Sequence, residues 1–413
     1  MIIKKLKHNP RFKYILLTFV VSGIGFIKTF IILKTFDFVT LGLIALMLNF
    51  ATSISLFQFG VVTGGYRLFS YKKENVLKKI NANIFTYFLL LSLVLLLLAL
   101  ITSLVFDIEI RVLTLLSFIA IGVVSLYSNW VTCKLLATNN TGTLNKAQIV
   151  STIISLILVI CAKWVSVILV FFSFLLQPLV LIGMSYYINP ELKPSIGLGF
   201  SKKMIRIIIS LGFIPYLTTA LKVFNSQLGR WLITISLGTI ILGKTFLAIL
   251  FVTLVGVFPG AISNLYFPEI IKNYENGSND GLNATLKKHI LILFSYFVAV
   301  SLITILLGSF IVKTFLPKHI VSINLVYAIL PSLFFINMSN PFLIYFNAAK
   351  KFNKILFGSL ISVFSYVVLV LFCYFFKEIN LIDFFIIESI SGVVFFCYNL
   401  YFFIKFLKPK IYE

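Results

Sequence analysis

The chain has 413 residues, 60% of them hydrophobic and only 11% charged, which leaves too little polar surface to cover a water-soluble globule of that size. Lys and Arg outnumber Asp and Glu by 35 to 12, a formal charge of +23. No soluble stretch gathers that charge into a basic groove, so a bilayer is the expected environment and nucleic acid is excluded as a partner.

In chain order, Lys4, Lys5 and Lys7 precede an apolar run over 12–33. That run is too long for a signal peptide and lacks a small-residue cleavage site, so a first membrane helix is expected there. At about 20 apolar residues per span, twelve helices follow, near 12–34, 39–66, 82–106, 112–134, 147–163, 165–188, 204–228, 240–266, 288–312, 322–346, 354–376 and 384–405. The stretch 231–242 has two readings, an extension of the seventh helix or an outer re-entrant turn. The expected fold class is all-α integral membrane, with twelve transmembrane helices in two six-helix lobes around a central cavity. The lobes are expected at 1–188 and 204–413, joined by a cytoplasmic linker at 189–203 that contains Pro190 and Pro194. Six being even, the halves read as parallel repeats. A faint internal repeat accompanies the division: Phe38-Val39-Thr40-Leu41-Gly42 opens the second helix and Thr239-Ile240-Ile241-Leu242-Gly243 the eighth. Such a match also arises by chance in Leu/Ile-rich sequence.

The positive charges follow the same count. Lys72, Lys73, Lys78, Lys79, Lys134, Lys202, Lys203, Arg206, Lys350 and Lys351, with both termini, crowd the even-numbered connectors; Lys34, Arg111, Lys163, Lys313, Lys318 and Lys377 are spread thinly over the odd ones. By the positive-inside rule both termini are expected in the cytoplasm.

Three lysines, Lys28, Lys222 and Lys244, fall within apolar runs whose middles hold no Asp or Glu. An ionised group at that depth costs roughly 2.5–3.5 kcal/mol on insertion scales, so it normally meets a partner or a polar cavity. An anionic ligand supplies such a partner. Helical spacing puts Thr18, Ser22, Gly25, Lys28 and Thr29 on one face, and Thr218, Lys222, Asn225, Ser226 and Gly229 on another. Asn49, Ser53, Gly60, Gly64 and Arg67 form a third stripe, and Thr253, Gly256, Gly260, Ser263 and Asn264 a fourth. The substrate-binding candidates are accordingly Lys28, Lys222, Lys244, Arg67, Arg230, Asn49, Asn225 and Asn264. Small polar stripes also serve helix packing without any ligand, and lysines near a span end can snorkel to the headgroups. Both readings stand at this point.

Trp130, Trp164 and Trp231 lie near span ends and read as an aromatic belt. Gln58, Gln177, Asn337 and Asn340 are intramembrane amides able to hydrogen-bond sugar hydroxyls, and read first as interhelical hydrogen-bonding groups. Cys133, Cys161, Cys373 and Cys397 lack the spacing of a disulfide framework or a metal site, and no cofactor is expected. The absence of a GxxxxGK[ST] loop argues against ATP hydrolysis.

Several phrases together resemble a family. Leu41-Gly42 through Phe59-Gly60 to Tyr66-Arg67, Gly212-Phe213-Ile214-Pro215, Arg230-Trp231 followed by Leu242-Gly243, and Phe267-Pro268 with the connector after it resemble the Wzx-type polysaccharide-unit (O-antigen) flippases. These belong to the multidrug/oligosaccharidyl-lipid/polysaccharide exporter superfamily. The resemblance implies two six-helix bundles in a V around a cationic cavity. It also implies movement of an undecaprenyl-diphosphate-linked oligosaccharide from the cytoplasmic to the outer leaflet without covalent chemistry, alongside other polysaccharide-assembly membrane proteins. Related proteins often carry an acid before the arginine matched to Arg230, where this chain has Gly229, so an ion pair at that point is in doubt. Two alternatives remain. A cation-coupled multidrug exporter of the same fold needs an intramembrane acid, and Glu269, Asp383 and Glu388 sit at expected span margins. A polytopic glycosyltransferase or polymerase needs surface carboxylates, for which Asp107 and Glu109 are the nearest pair.

Overall fold

Apolar helices satisfy every backbone group internally, which is what hydrocarbon demands, and the computed structural model is built from them. It describes residues 10–69, 74–105, 112–138, 140–194 and 200–407, without the side chains of 10–16, Thr18, 74–75, 102–105, 112–113, Lys222, Asn264 and 407. Lys4, Lys5, Lys7, Lys72, Lys73, Asp107, Glu109, Arg111, Lys408, Lys410 and the linker residues 195–199 therefore lie outside the described residues, as do the side chains of Thr18, Lys222 and Asn264.

The helices are α1 (Pro10–Thr35), α2 (Phe38–Ile54), α3 (Val61–Phe69), α4 (Glu74–Val105), α5 (Val112–Ala137), α6 (Thr141–Ala162), α7 (Ile168–Ile188), α8 (Lys202–Leu237), α9 (Thr239–Lys244), α10 (Phe246–Glu275), α11 (Asn279–Phe315), α12 (Ile323–Met338), α13 (Asn340–Ala348), α14 (Phe352–Phe376) and α15 (Leu381–Leu407). No strand occurs among the described residues. The protein is all-α, and 11 helical stretches among those residues are long and apolar enough to cross a membrane. In addition α1, 26 residues long, occupies the place expected of the first span.

Where single helices were expected, the structure breaks three, among them the eighth at Thr245 between α9 and α10. The second ends at Ile54, passes through one tight turn at Ser55–Gln58, and restarts as α3. Phe59 at φ 45° and Gly60 at φ 85° make the break. Two successive left-handed residues cannot continue an α-helix, and glycine bears that conformation without a Cβ clash. The tenth divides at Ser339, where Pro341 starts α13 in the first turn, the position at which a missing N–H costs nothing. By contrast α8 runs on to Leu237, so residues 231–237 extend the seventh helix rather than turn back.

The chain forms two compact units, one of Met1–Thr35 with Leu43–Ala220, the other of Phe36–Gly42 with Leu221–Glu413. Both α2 and α8 are thus shared between units. In the first unit α6 packs on α7 and α1, and α5 on α7. Val61, Ile80, Ile84, Phe88, Trp130 and Ile208 form a buried cluster at α3, α4, α5 and α8. Trp130 is only 1% exposed and its Nε1 donates to Asn81 Oδ1 at 3.1 Å, so it is a core residue and not part of an interfacial belt. Here α3 crosses α8 so closely that a Cβ on Gly64 would strike the Ile208 carbonyl and one on Gly212 the Gly60 carbonyl.

In the second unit α12 packs on α15 and α14 on α15, while α10 meets α11, α12 and α13. Its core includes Ile270, Leu286, Phe342, Phe346 and Phe395. The two copies of the faint repeat meet inside this unit. A Cβ on Gly42 would strike the Thr239 carbonyl, and one on Gly243 would strike the Phe38 carbonyl. Each copy thus supplies the space the other needs.

Candidate functional site

Lys28 is placed by α1 inside the first unit and is 4% exposed. Its Nζ donates to Ser155 Oγ of α6 at 2.6 Å and to Gln177 Oε1 of α7 at 3.1 Å, and lies 3.8 Å from the centre of the Phe174 ring. Ser155 Oγ in turn donates to the Ser173 carbonyl at 3.1 Å. Hydrogen bonds and a ring face make the desolvated ammonium tolerable. None of these partners carries charge. Among the described residues no carboxylate pairs with this nitrogen. Gln177, read from sequence as interhelical glue, is one of its ligands.

A second buried lysine was not singled out from sequence. Lys134 of α5 is 0% exposed; its Nζ donates to the Leu192 carbonyl at 2.5 Å and to Asn81 Oδ1 at 3.4 Å, with the Tyr186 ring centre 4.9 Å away. Asn81 Nδ2 also donates to Leu192 O at 3.1 Å, and the Ser201 N–H donates to Asn83 Oδ1 at 2.7 Å. These contacts tie both described ends of the 189–203 segment to α4 and α5. Counting Lys134 as a connector charge hid this role, since its partners come from distant parts of the chain.

The second unit holds its own polar cluster. Arg230 of α8 and Glu388 of α15 are partly buried electrostatic partners. Glu388 lies inside α15, within the apolar stretch Leu381–Phe406, not at a span margin, and Arg230 feels its charge from beyond salt-bridge distance. Asn225 Nδ2 donates to Ser362 Oγ at 3.2 Å, and the Ser362 and Ser391 hydroxyls are 3.2 Å apart. Tyr366 reaches the backbone of Gly229 so closely that a Cβ there would lie 2.8 Å from its hydroxyl. Asn225 Oδ1 and the Tyr366 hydroxyl are buried and have no hydrogen-bond partner among the described residues.

The other candidates are dispersed. Arg67 is exposed on α3, with Nη1 donating to the Leu211 carbonyl at 3.1 Å. Lys244 ends α9 and is partly buried. Asn49 of α2 is 0% exposed, with both amide atoms unpartnered among the described residues. Lys28, Asn49 and Arg67 belong to the first unit, and Lys222, Asn225, Arg230, Lys244 and Asn264 to the second. Among the candidates whose side chains are described, Asn225 and Arg230 alone are drawn into one cluster.

No protein-family model and no curated protein matches the sequence. Solved structures do resemble the fold. An inward-facing multidrug resistance MATE family transporter of the MOP superfamily aligns with a TM-score of 0.75 at 12% identity, over 95% of this chain and 96% of its own. The lipid II flippase MurJ in an inward closed conformation aligns at 0.71 and 17%, over 94% and 86%. A MOP superfamily transporter from Pyrococcus furiosus aligns at 0.65 and 12%, over 99% and 98%. At such identities the likeness is one of fold, and the fold is that of MOP superfamily transporters.

Proposed function

We propose that the protein is a flippase that carries an undecaprenyl-diphosphate-linked oligosaccharide from the cytoplasmic to the outer leaflet by alternating access. The supporting observation is Lys28, a buried ammonium held only by neutral groups. A site of that kind favours an anionic cargo over a cationic one. A diphosphate headgroup is strongly hydrated and needs cations along its path, whereas a polyprenyl tail can stay in lipid. The fold shared with a lipid II flippase is consistent with this reading. Arg67, Arg230, Lys222, Lys244, Asn49, Asn225 and Asn264 are proposed as further contacts along the path. An inside-negative potential of 100 mV would contribute about 2.3 kcal/mol per negative charge moved outward.

Depletion of the protein in cells tests the proposal through the leaflet in which lipid-linked oligosaccharide accumulates. Accumulation on the cytoplasmic side is expected. Accumulation on the outer side overturns the flippase and points to a polymerase.

A second reading, a cation-coupled exporter, draws on Glu388 with the unpartnered Asn225 Oδ1 and Tyr366 hydroxyl nearby. It predicts efflux of a cationic dye driven by a proton or sodium gradient and lost in Glu388→Gln. The Arg230 partner weakens it, because that carboxylate already faces a cation.

A further inference from the structure

The first half of α8 has two faces of different kinds. On one, Ile208 is 0% exposed and Gly212 is buried against α3. On the other, Lys202, Ile205, Arg206, Ile209, Ser210, Phe213 and Ile214, together with Phe200, line a groove of about 680 Å³. Their spacing of three and four residues puts Lys202, Arg206, Ile209, Ser210, Phe213 and Ile214 on one helical face, with Ile205 at its buried edge beside Ile208. Lys202 and Arg206 are exposed at the helix start, and Phe213 and Ile214, at 41% and 49% exposed, lie two to three turns deeper. The groove is therefore graded, with two cations one turn apart at its mouth and an apolar floor beyond.

We infer that this groove docks the phosphorylated end of an isoprenoid lipid, with the phosphates on Lys202 and Arg206 and the first isoprene units along Ile209, Phe213 and Ile214. The inference rests on the flippase reading and adds to it an entry site distinct from Lys28. Charge complementarity selects the occupant. Arginine offers a planar fork of donors to phosphate oxygens and lysine a point charge, and i, i+4 spacing holds the two within reach of one diphosphate. The apolar floor suits a chain that never leaves the bilayer. A neutral lipid would leave both cations unused. A soluble phosphate would leave the floor bare.

The test is photo-crosslinking in native membranes whose isoprenoid lipids are metabolically radiolabelled. The full-length protein carries benzoylphenylalanine either at Phe213, in the groove, or at Leu211, exposed on another face of α8. Label is expected at Phe213 and not at Leu211. The double variant Lys202→Gln/Arg206→Gln should lower the Phe213 label by about tenfold or more, as the loss of charge-assisted contacts implies, with membrane insertion unchanged. Three results overturn the inference: equal labelling at both positions, capture of phospholipid alone at Phe213, or isoprenoid labelling indifferent to the double variant. The leaflet assay separates the two proposals. Labelling of the groove without cytoplasmic accumulation on depletion retains the docking site and removes the flippase. Cytoplasmic accumulation with an unlabelled groove does the reverse.

Discussion

Lys28 in the first unit and Arg230 in the second are both cations within long apolar helices, but their surroundings differ in kind. Ser155, Gln177 and Phe174 solvate Lys28 without neutralising it, whereas Arg230 has the charge of Glu388 in its neighbourhood. A compensated pair belongs to the architecture, because removing one member strands the other. An uncompensated charge has a weaker claim on stability unless, like Lys134, it ties separate stretches of backbone together. On the proposed path Lys28 would meet the cargo with its charge unopposed, and Arg230 with part of its charge already answered.

The sharpest way to break the comparison is Glu388→Leu. It leaves Arg230 without its counter-charge, and a loss of about 2–3 kcal/mol is expected, read as a lower unfolding temperature of the purified protein in nanodiscs. Arg230→Met added to it should restore most of that loss. A single variant as stable as the parent would mean the two groups are not coupled.

Backbone strictness in the second unit can be examined apart from its charges. Gly42→Ala should cost about 2 kcal/mol, because the Thr239 carbonyl cannot move aside as a side chain would. Gly256→Ala, with nothing within 4 Å of the added carbon, should stay within about 0.5 kcal/mol. Equal effects would dissolve the distinction.

Lys28→Met sharpens the contrast from the other side. Stability should change by less than about 1 kcal/mol, since an apolar group of similar volume replaces a desolvated ion, while flipping falls severalfold in the leaflet assay. A large stability loss with flipping intact would make Lys28 structural. The smallest effect is expected at Lys377→Ala, which removes the 3.1 Å bridge to Asp383. Lys377 is 60% exposed, so less than about 0.5 kcal/mol should be lost, and still less at high salt.

What was legible in the sequence follows from one-dimensional signals. Span positions show as apolar runs, and Lys28 stood out because an ammonium in such a run is rare. The break at Phe59–Gly60 left no proline to announce it, and the pattern on either side continues to read as one helix. Lys134 looked like an ordinary span-end charge; only the fold brings Asn81 and Leu192 to it. The pairing of Glu388 with Arg230 was hidden for the same reason, although an acid in an otherwise apolar run was its available signal. Trp130 misled because position near a span end does not tell whether a ring faces lipid or core.

The meeting of Gly42 with Gly243 has one more consequence. At most packed sites an enlarged residue can be relieved by trimming whatever faces it, but here each glycine faces main chain, where nothing can be trimmed. The two positions therefore form one inherited locus. Any drift at either must be answered by a shift of a whole helix start, so a duplicated phrase too faint to be trusted as text is held in place by its own other copy.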